Sequence, residues 1–457
     1  YRPVRSLVPQ TNALEFPCRG AKMLQSAEGV IYNYAGDKGS VYSRAGDTYA
    51  KLNDGTFSLL ADDRWEFDRW YDKVLAVNNV SRVQYGDFSA ALADADAAAP
   101  IGKHIATARN FVMVGNLTAN ALAVQDAAGV SWSDLGDPTN WTDGQSGYQH
   151  LDGAGEVTKI LGGEYFTICM QGGIFKGTFV GQPATFQFDL VVPNRPVPYS
   201  GAIVQVGYQV FFLSYDGFYV FNGSSVEAIS SGKMGKAFFD DLDRESAHLM
   251  TSEADLVNNL IYFAYPGKGH DGEICNRAYV FNYQTGLWTG PLEHETQQLI
   301  YSRTPGILSD PLSTDPDDLC DGAAYAGIYC DDAKYQGGND PILGAFIPGN
   351  AYGVSLGAIK KATIESGEYA HNDGGFTMVT GFRPNVDGDN PVISGQVCYR
   401  NKTSGDMSAC PIVPINQRTG FIDQRVNARF HRYLMEVSGE FSSIHGGIPQ
   451  MVPGGQR

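Results

Sequence analysis

Apolar residues in this chain come in short runs, some alternating with polar positions and some unbroken, and the breaks between runs are rich in Gly, Asn and Asp. That is the pattern of short strands joined by tight turns. Residues Gly163 to Phe175 read as an aromatic and β-branched strand, a Gly turn and a second such strand; Gly207 to Tyr219 repeat the arrangement. Looser copies of the first strand begin at Glu28, Asp72, Arg109 and Asn258, so the starts fall at 28, 72, 109, 163, 207 and 258, separated by 44, 37, 54, 44 and 51 residues. Recurrence every ~40–50 residues with several strands per unit is the signature of propeller blades. It predicts an all-β chain folded as a β-propeller of about six or seven blades, six of them visible, with a degenerate seventh from the chain ends. A lone four-stranded blade would leave both faces wet, and radial stacking buries them. A β-sandwich or a string of small β domains is the competing arrangement.

Helical patterns are few. Phe88 to Ala99 is Ala-rich and stops at Pro100, and Lys236 to Leu249 fits two or three turns; both read as excursions between blades. Regularity fades after Trp288, and residues 304–350 are dense in Pro, Gly and Asp, as long functional or interface loops are. Strand patterns return at Thr377, from Val392 to Tyr399 and from Phe430 to Val437, followed by a Gly/Pro-rich tail from Gly446. The expected division is a propeller core over 1–290, a soft boundary near Thr289, and an irregular insertion plus C-terminal β region over 291–457 that closes or decorates the propeller.

Composition narrows the function classes. Hydrophobic residues make up 43%, aromatic 12% and charged 18% of 457 positions, with 54 Gly, which argues against disorder and against a helical bundle. No apolar run approaches the ~20 residues of a membrane-spanning helix, so membrane insertion is not expected. The formal charge of −17 argues against a free-standing nucleic-acid binder. The first residues lack an apolar leader, so no secretion signal is expected. Seven cysteines are an odd number with no Cys-x-x-Cys spacing; free thiols in a reducing compartment are expected, although Cys320 with Cys330, or Cys398 with Cys410, are spaced to allow a bridge.

Candidate chemistry fails on context. Gly267 to Gly272 matches a dinucleotide fingerprint, yet strand patterns flank it and no helix follows to receive a pyrophosphate. Gly353 to Gly357 matches a nucleophile elbow, preceded by loop rather than a buried strand. His294-Glu295 has no second His at the zinc-protease spacing. Asp315, Asp317, Asp318, Asp331 and Asp332 supply hard oxygens that calcium accepts, without the spacing of a calcium loop, and read as a solvated acidic loop or a contact loop. Ser214 to Gly217 departs from the repeated turn of sialidase propellers, because Gly follows Asp216 directly and no Trp comes after. The expectation is no catalytic residue, cofactor or resident metal. A carbohydrate-active or carbohydrate-binding propeller is the alternative.

Two segments carry a resemblance. One is the string from Val130 to Trp141, Trp132-Ser-Asp-Leu-Gly136-Asp-Pro138-Thr-Asn-Trp141 at its heart, followed by Phe186 to Asp189. The other runs from Val210 through Asp216 and Gly217 to Gly223, with Val280 to Trp288 behind it. Together they resemble the tail nozzle (tail hub, or packaged-DNA stabilisation) proteins of short-tailed bacteriophages, over roughly residues 28 to 290 plus the strand Arg425 to Tyr433. The resemblance implies a structural protein of the virion tail, assembled in the host cytoplasm, and not an enzyme. It implies a ring of usually six copies below the portal adaptor that continues the DNA channel and retains packaged genome. Its implied partners are other copies, the adaptor, and tail fibres, spikes or a needle, with DNA only as transiting cargo. The stretch 304–350 has no counterpart in the resemblance.

The cysteine reading is checked by labelling. Protein denatured without reductant should expose seven maleimide-reactive thiols; a lower count means a disulfide.

Overall fold

All six repeat starts fall at the hairpin turn between the first and second strands of consecutive four-stranded antiparallel sheets. The computed structural model describes residues 3–53, 55–121, 124–230, 232–303, 341–371 and 375–453. With strands lettered A to D in hydrogen-bonded order, blade 1 comprises Ala21–Gln25, Ile31–Gly36, Val41–Ala45 and Thr48–Asn53. Blade 2 comprises Glu66–Trp70, Lys73–Val77, Gln84–Asp87 and Ala93–Asp94; blade 3, Ile101–Ala108, Phe111–Ala119, Asp126–Trp132 and Gly147–His150. Blade 4 comprises Val157–Leu161, Phe166–Met170, Gly173–Gly181 and Thr185–Pro193; blade 5, Ile203–Val206, Gln209–Leu213, Phe218–Phe221 and Val226–Ala228. Blade 6 comprises Thr251–Asp255, Leu260–Tyr265, Cys275–Asn282 and Leu287–Thr296. The A–B turn of blade 5 shows why Gly marks the repeat: Gly207 sits at φ +61°, in the left-handed region where a side chain is costly.

Blade 7 completes the ring. Its strands A to C are Gln298–Arg303, Pro341–Phe346 and Ala351–Val354, and its outer strand is Val8–Ala13 from the other end of the chain. The seventh blade therefore takes one strand from a chain end, and its other three lie beyond the boundary expected near Thr289. The compact units divide elsewhere: the propeller spans Pro9–Val354, and the second unit combines Tyr1–Val8 with Ser355–Arg457. The reason is that the strands 298–303, 341–346 and 351–354 pair with one another and with residues 8–13, not with the C-terminal strands.

The C-terminal unit has two antiparallel sheets around one core. One sheet is ordered Ala362–Glu365, Phe430–Glu440, Asn390–Arg400 and Ser408–Ala409, with Val413–Pro414 also on Asn390–Arg400; the other is ordered Ile422–Ala428, Thr377–Asp387 and Ser443–Pro453. Val379, Phe382, Val397, Ile422, Val437 and Ile444 fill the space between them. The strands anticipated at Thr377, Val392 and Phe430 are all present here, and the Gly/Pro-rich stretch from Gly446 continues as strand to Pro453.

Of the two helical patterns, the second forms a helix over Gly232–Asp241 and a short 3-10 turn over Ala247–Leu249, while the first does not form. Phe88 stacks on Tyr32 at 4.4 Å, and the Leu92 N–H donates to Asn53 Oδ1 at 3.0 Å. Residues 93–94 then pair as the outer strand of blade 2. Packing against blade 1 outweighs the helix propensity of the Ala run.

The cores lie between blades. Separate apolar clusters join blades 1 and 2 (Tyr34, Trp65, Phe67), 2 and 3 (Trp70, Val112, Trp141), 3 and 4 (Phe111, Trp132, Phe186), 4 and 5 (Cys169, Phe212) and 5 and 6 (Phe218, Phe263, Tyr279). A sixth cluster closes the ring from blade 7 to blade 1 through Ile300, Phe346 and Tyr352 against Ala35, Tyr42 and Tyr49. Phe346→Ala, which empties a fully buried site at that seam, should cost ~3–5 kcal/mol in equilibrium unfolding. A loss under ~1 kcal/mol would mean the ring does not depend on this closure.

Candidate functional site

Strand A of every blade reaches the propeller axis, so seven sequence-distant strands line one cavity of about 400 Å³. Its charged members are Lys22 of blade 1, Glu66 and Asp68 of blade 2, Lys159 of blade 4 and Glu253 of blade 6, with Thr107, Gln205, Ser252 and Gln298 between them. The backbones crowd there. A Cβ on Gly162 at the end of strand A of blade 4 would lie 2.1 Å from the Thr107 carbonyl oxygen of blade 3, so only glycine permits the approach.

The charges are arranged as pairs across blades. Lys159 Nζ lies 2.7 Å from Glu66 Oε1, reaching from blade 4 to blade 2 past blade 3, and His104 Nδ1 of blade 3 lies 2.9 Å from the same oxygen. The Ile105 N–H donates to Glu66 Oε2 at 3.3 Å. Burial opposes ionisation of Glu66, but Lys159 and then His104 outweigh it and pull its carboxyl down to about 2. Lys22 Nζ lies 3.0 Å from Asp68 Oδ1, while Asp68 Oδ2 accepts from the Thr107 N–H at 2.7 Å and its hydroxyl at 2.9 Å. Burial works against the Lys22 charge, and Asp68 more than offsets it, so Lys22 is held above the ordinary lysine value. Glu253 differs: burial raises its carboxyl, against the N–H groups of Ala254 and Tyr301 and the charges of Lys22 and Lys159.

The residues singled out by sequence lie elsewhere and serve the fold. Trp132 to Trp141 open the C–D loop of blade 3. Trp132 enters the core between blades 3 and 4, and Trp141 enters the core between blades 2 and 3, so one loop pins three blades. Their indole N–H groups donate to Gln145 O at 2.8 Å and Pro138 O at 3.0 Å. Between them, Asp134 Oδ1 accepts from the N–H groups of Leu135 at 2.8 Å and Gln145 at 2.7 Å, Gly136 turns at φ +79°, and its N–H donates to Asn110 O at 2.9 Å. Asp216 and Gly217 form the B–C turn of blade 5, where Asp216 accepts from Arg195 at 3.0 Å and from the Tyr219 hydroxyl at 2.9 Å. Trp288, on strand D of blade 6, donates to Ile229 O at 2.7 Å and packs 4.8 Å from Phe218, bringing it to the blade 5 side. The two groups of motif residues do not converge. Asp315, Asp317, Asp318, Asp331 and Asp332 lie outside the described residues, in the segment joining strands A and B of blade 7.

Sequence reasoning missed the axial charges. Their only signal is a charged residue on strand A, a few positions before the repeat starts at 28, 72 and 163, and no local spacing links them. Among the described residues, no group of three or more His, Cys, Asp or Glu is placed to hold a metal. Cys18, Cys169 and Cys275 are buried free thiols, each pushed up to about 12 by burial; Cys398 and Cys410 are also free, and Cys320 and Cys330 lie outside the described residues.

Breaking the axial cluster has a defined cost. Glu66→Gln leaves Lys159 without its counter-charge and should destabilise the propeller by ~3–5 kcal/mol at neutral pH. The Glu66 contribution is complete above the ordinary value of 4.5 and is lost as pH falls from there towards about 2. Unfolding curves of wild type and variant should therefore converge across that window; a constant gap down to pH 2 would contradict the pairing.

No protein-family profile matches the chain, and no curated protein does. Solved structures show likeness at low identity. The computationally designed Ika8 protein is 12% identical, with 77% of this chain and 99% of that one covered and a TM-score of 0.40. The Pan2 WD40 domain of Neurospora crassa is 6% identical, with 62% and 82% covered and a TM-score of 0.36. YCF48 from Cyanidioschyzon merolae is 10% identical, with 63% and 87% covered and a TM-score of 0.35. At such identities function does not transfer with fold.

Proposed function

We propose that this chain is a structural component of a phage tail: the nozzle or hub subunit whose ring continues the DNA channel below the portal and its adaptor, retains packaged DNA and anchors fibres or spikes. The observation that carries the reading is the Trp132 to Trp141 string that resembles tail nozzle proteins, whose two tryptophans lock three blades. In this reading the propeller is a rigid building block, and its residues contribute shape rather than catalysis.

Two physical points support it. An axial cavity of about 400 Å³ is far too small for a duplex whose major groove alone is ~12 Å wide, so DNA passes between copies and the bore belongs to the ring. A charge of −17 per copy repels phosphate, so transiting DNA is not held by counterion release. In blades 1 to 6 the A–B and C–D turns lie at the same end of the sheet, and on such turns Tyr71, Tyr208 and Leu287 are 62%, 71% and 68% exposed, alongside Leu256 and Val257. Large apolar side chains exposed on these turns suit a subunit contact better than open solvent.

Light scattering tests the reading directly. The protein, alone or mixed with the adaptor, should form a ring of several hundred kilodaltons, and Tyr71→Glu combined with Tyr208→Glu should leave the circular dichroism unchanged while abolishing that ring. Duplex binding at ~0.15 M salt should be negligible. A monomer that binds or cleaves glycans, or tight duplex binding with a steep salt slope, would overturn the proposal.

A further inference from the structure

We infer that the axial cavity of the propeller is a binding site for a small organic cation bearing several N–H donors, an alkylammonium or alkylguanidinium, seated on Glu253. The volume of about 400 Å³ falls in the range of small-molecule sites, and the cavity is built from fixed strands rather than loops. Lys22, whose side chain is 47% exposed, marks its open end.

The charge inventory selects the ligand's sign. Three carboxylates and two ammonium groups line the cavity. Lys22 is committed to Asp68 at 3.0 Å, Lys159 and His104 are committed to Glu66 at 2.7 Å and 2.9 Å, and no described ion pair includes Glu253. One carboxylate is therefore left over in an enclosed polar space, where a lone negative charge is costly until a cation joins it. An anionic ligand would face that same charge and is rejected.

Hydrogen bonding selects its chemistry. On the Glu253 side, the neighbours on blades 5, 6 and 7 already donate hydrogen bonds to backbone carbonyls. Gln205 Nε2 donates to Gly162 O at 3.2 Å and Gly207 O at 3.1 Å, Gln298 Nε2 donates to Leu299 O at 3.1 Å, and Ser252 Oγ donates to Gly201 O at 2.7 Å. What these groups leave for a ligand is mostly acceptor capacity: the Oε1 atoms of both glutamines, the serine oxygen and the lone pairs that the Glu253 carboxylate keeps beside the Ala254 and Tyr301 N–H groups, against one N–H left on Gln298 Nε2. A wall of acceptors around a carboxylate matches a group with many N–H donors and one positive charge. It does not match a quaternary ammonium, which has none. Ile105, Ile160 and Ile203, whose side chains belong to the cores between blades, border the cavity where a short alkyl tail would lie.

Calorimetric titration of the full chain with n-butylguanidinium and n-butylammonium tests the site. One molecule of either probe should bind per chain, while tetramethylammonium and butyrate should bind at least tenfold more weakly. Glu253→Gln should cost the two N–H cations at least tenfold in affinity, and the exposed control Glu227→Gln should leave it unchanged. Gln298→Leu, which keeps every charge, should cost about threefold and serves if the first variant does not fold. Wild type that takes up no probe at millimolar concentration, as expected if Glu253 simply carries a proton, would overturn the inference. So would equal binding of tetramethylammonium or undiminished binding by Glu253→Gln.

Discussion

Closure of the ring is the constraint on which the rest of the propeller depends. A four-stranded sheet with two apolar faces cannot be satisfied alone, and six such sheets in an open arc would leave two faces wet. The seventh sheet removes both by pairing Val8–Ala13 with Ala351–Val354, so that residues more than three hundred positions apart share one ladder. Polar contacts fasten the seam: Gln297 Oε1 accepts from the Cys18 N–H at 3.0 Å, and Ser302 Oγ donates to Asn33 Oδ1 at 2.7 Å in a fully buried setting. Each is made between chain segments that meet only when the ring is complete, and long-range contacts of this kind carry the loop-closure entropy of the whole fold.

Closure in turn decides what happens at the axis. Seven A strands converging on one line leave a space that their side chains do not fill, and water access there favours polar side chains. Charges in such a place are tolerated as pairs, and the Lys159–Glu66–His104 cluster couples blades 2, 3 and 4 just as the Trp132 to Trp141 loop couples them nearer the rim. Glu253 is the exception to that pairing, and the character of the cavity follows from it. The axis and the rim therefore do separate work: the rim loop locks neighbouring blades together, and the axial cavity of about 400 Å³ has room for a small molecule.

The repeat was legible because each A–B hairpin needs the same things locally: a β-branched or aromatic strand and a turn residue that tolerates its backbone. The starts at 28, 72, 109, 163, 207 and 258 therefore landed on six successive blades, and the tryptophans of the Trp132 loop stood out because large side chains are costly to leave in water. Turn chemistry and strand composition are local, so the all-β propeller and the position of six blades were determined by the sequence alone. What the sequence did not disclose is whatever depends on partners distant along the chain. Phe88 to Ala99 looked helical until Tyr32 and Asn53 of another blade offered better contacts, and the boundary lay at 354 instead of 289 because the strands 298–303, 341–346 and 351–354 found their fourth partner in residues 8–13. The axial cluster was invisible for the same reason. Lys22, Glu66, Lys159 and Glu253 each lie a few positions before a repeat start, but nothing local marks them as charges that meet, and only closure of the ring brings them to one cavity.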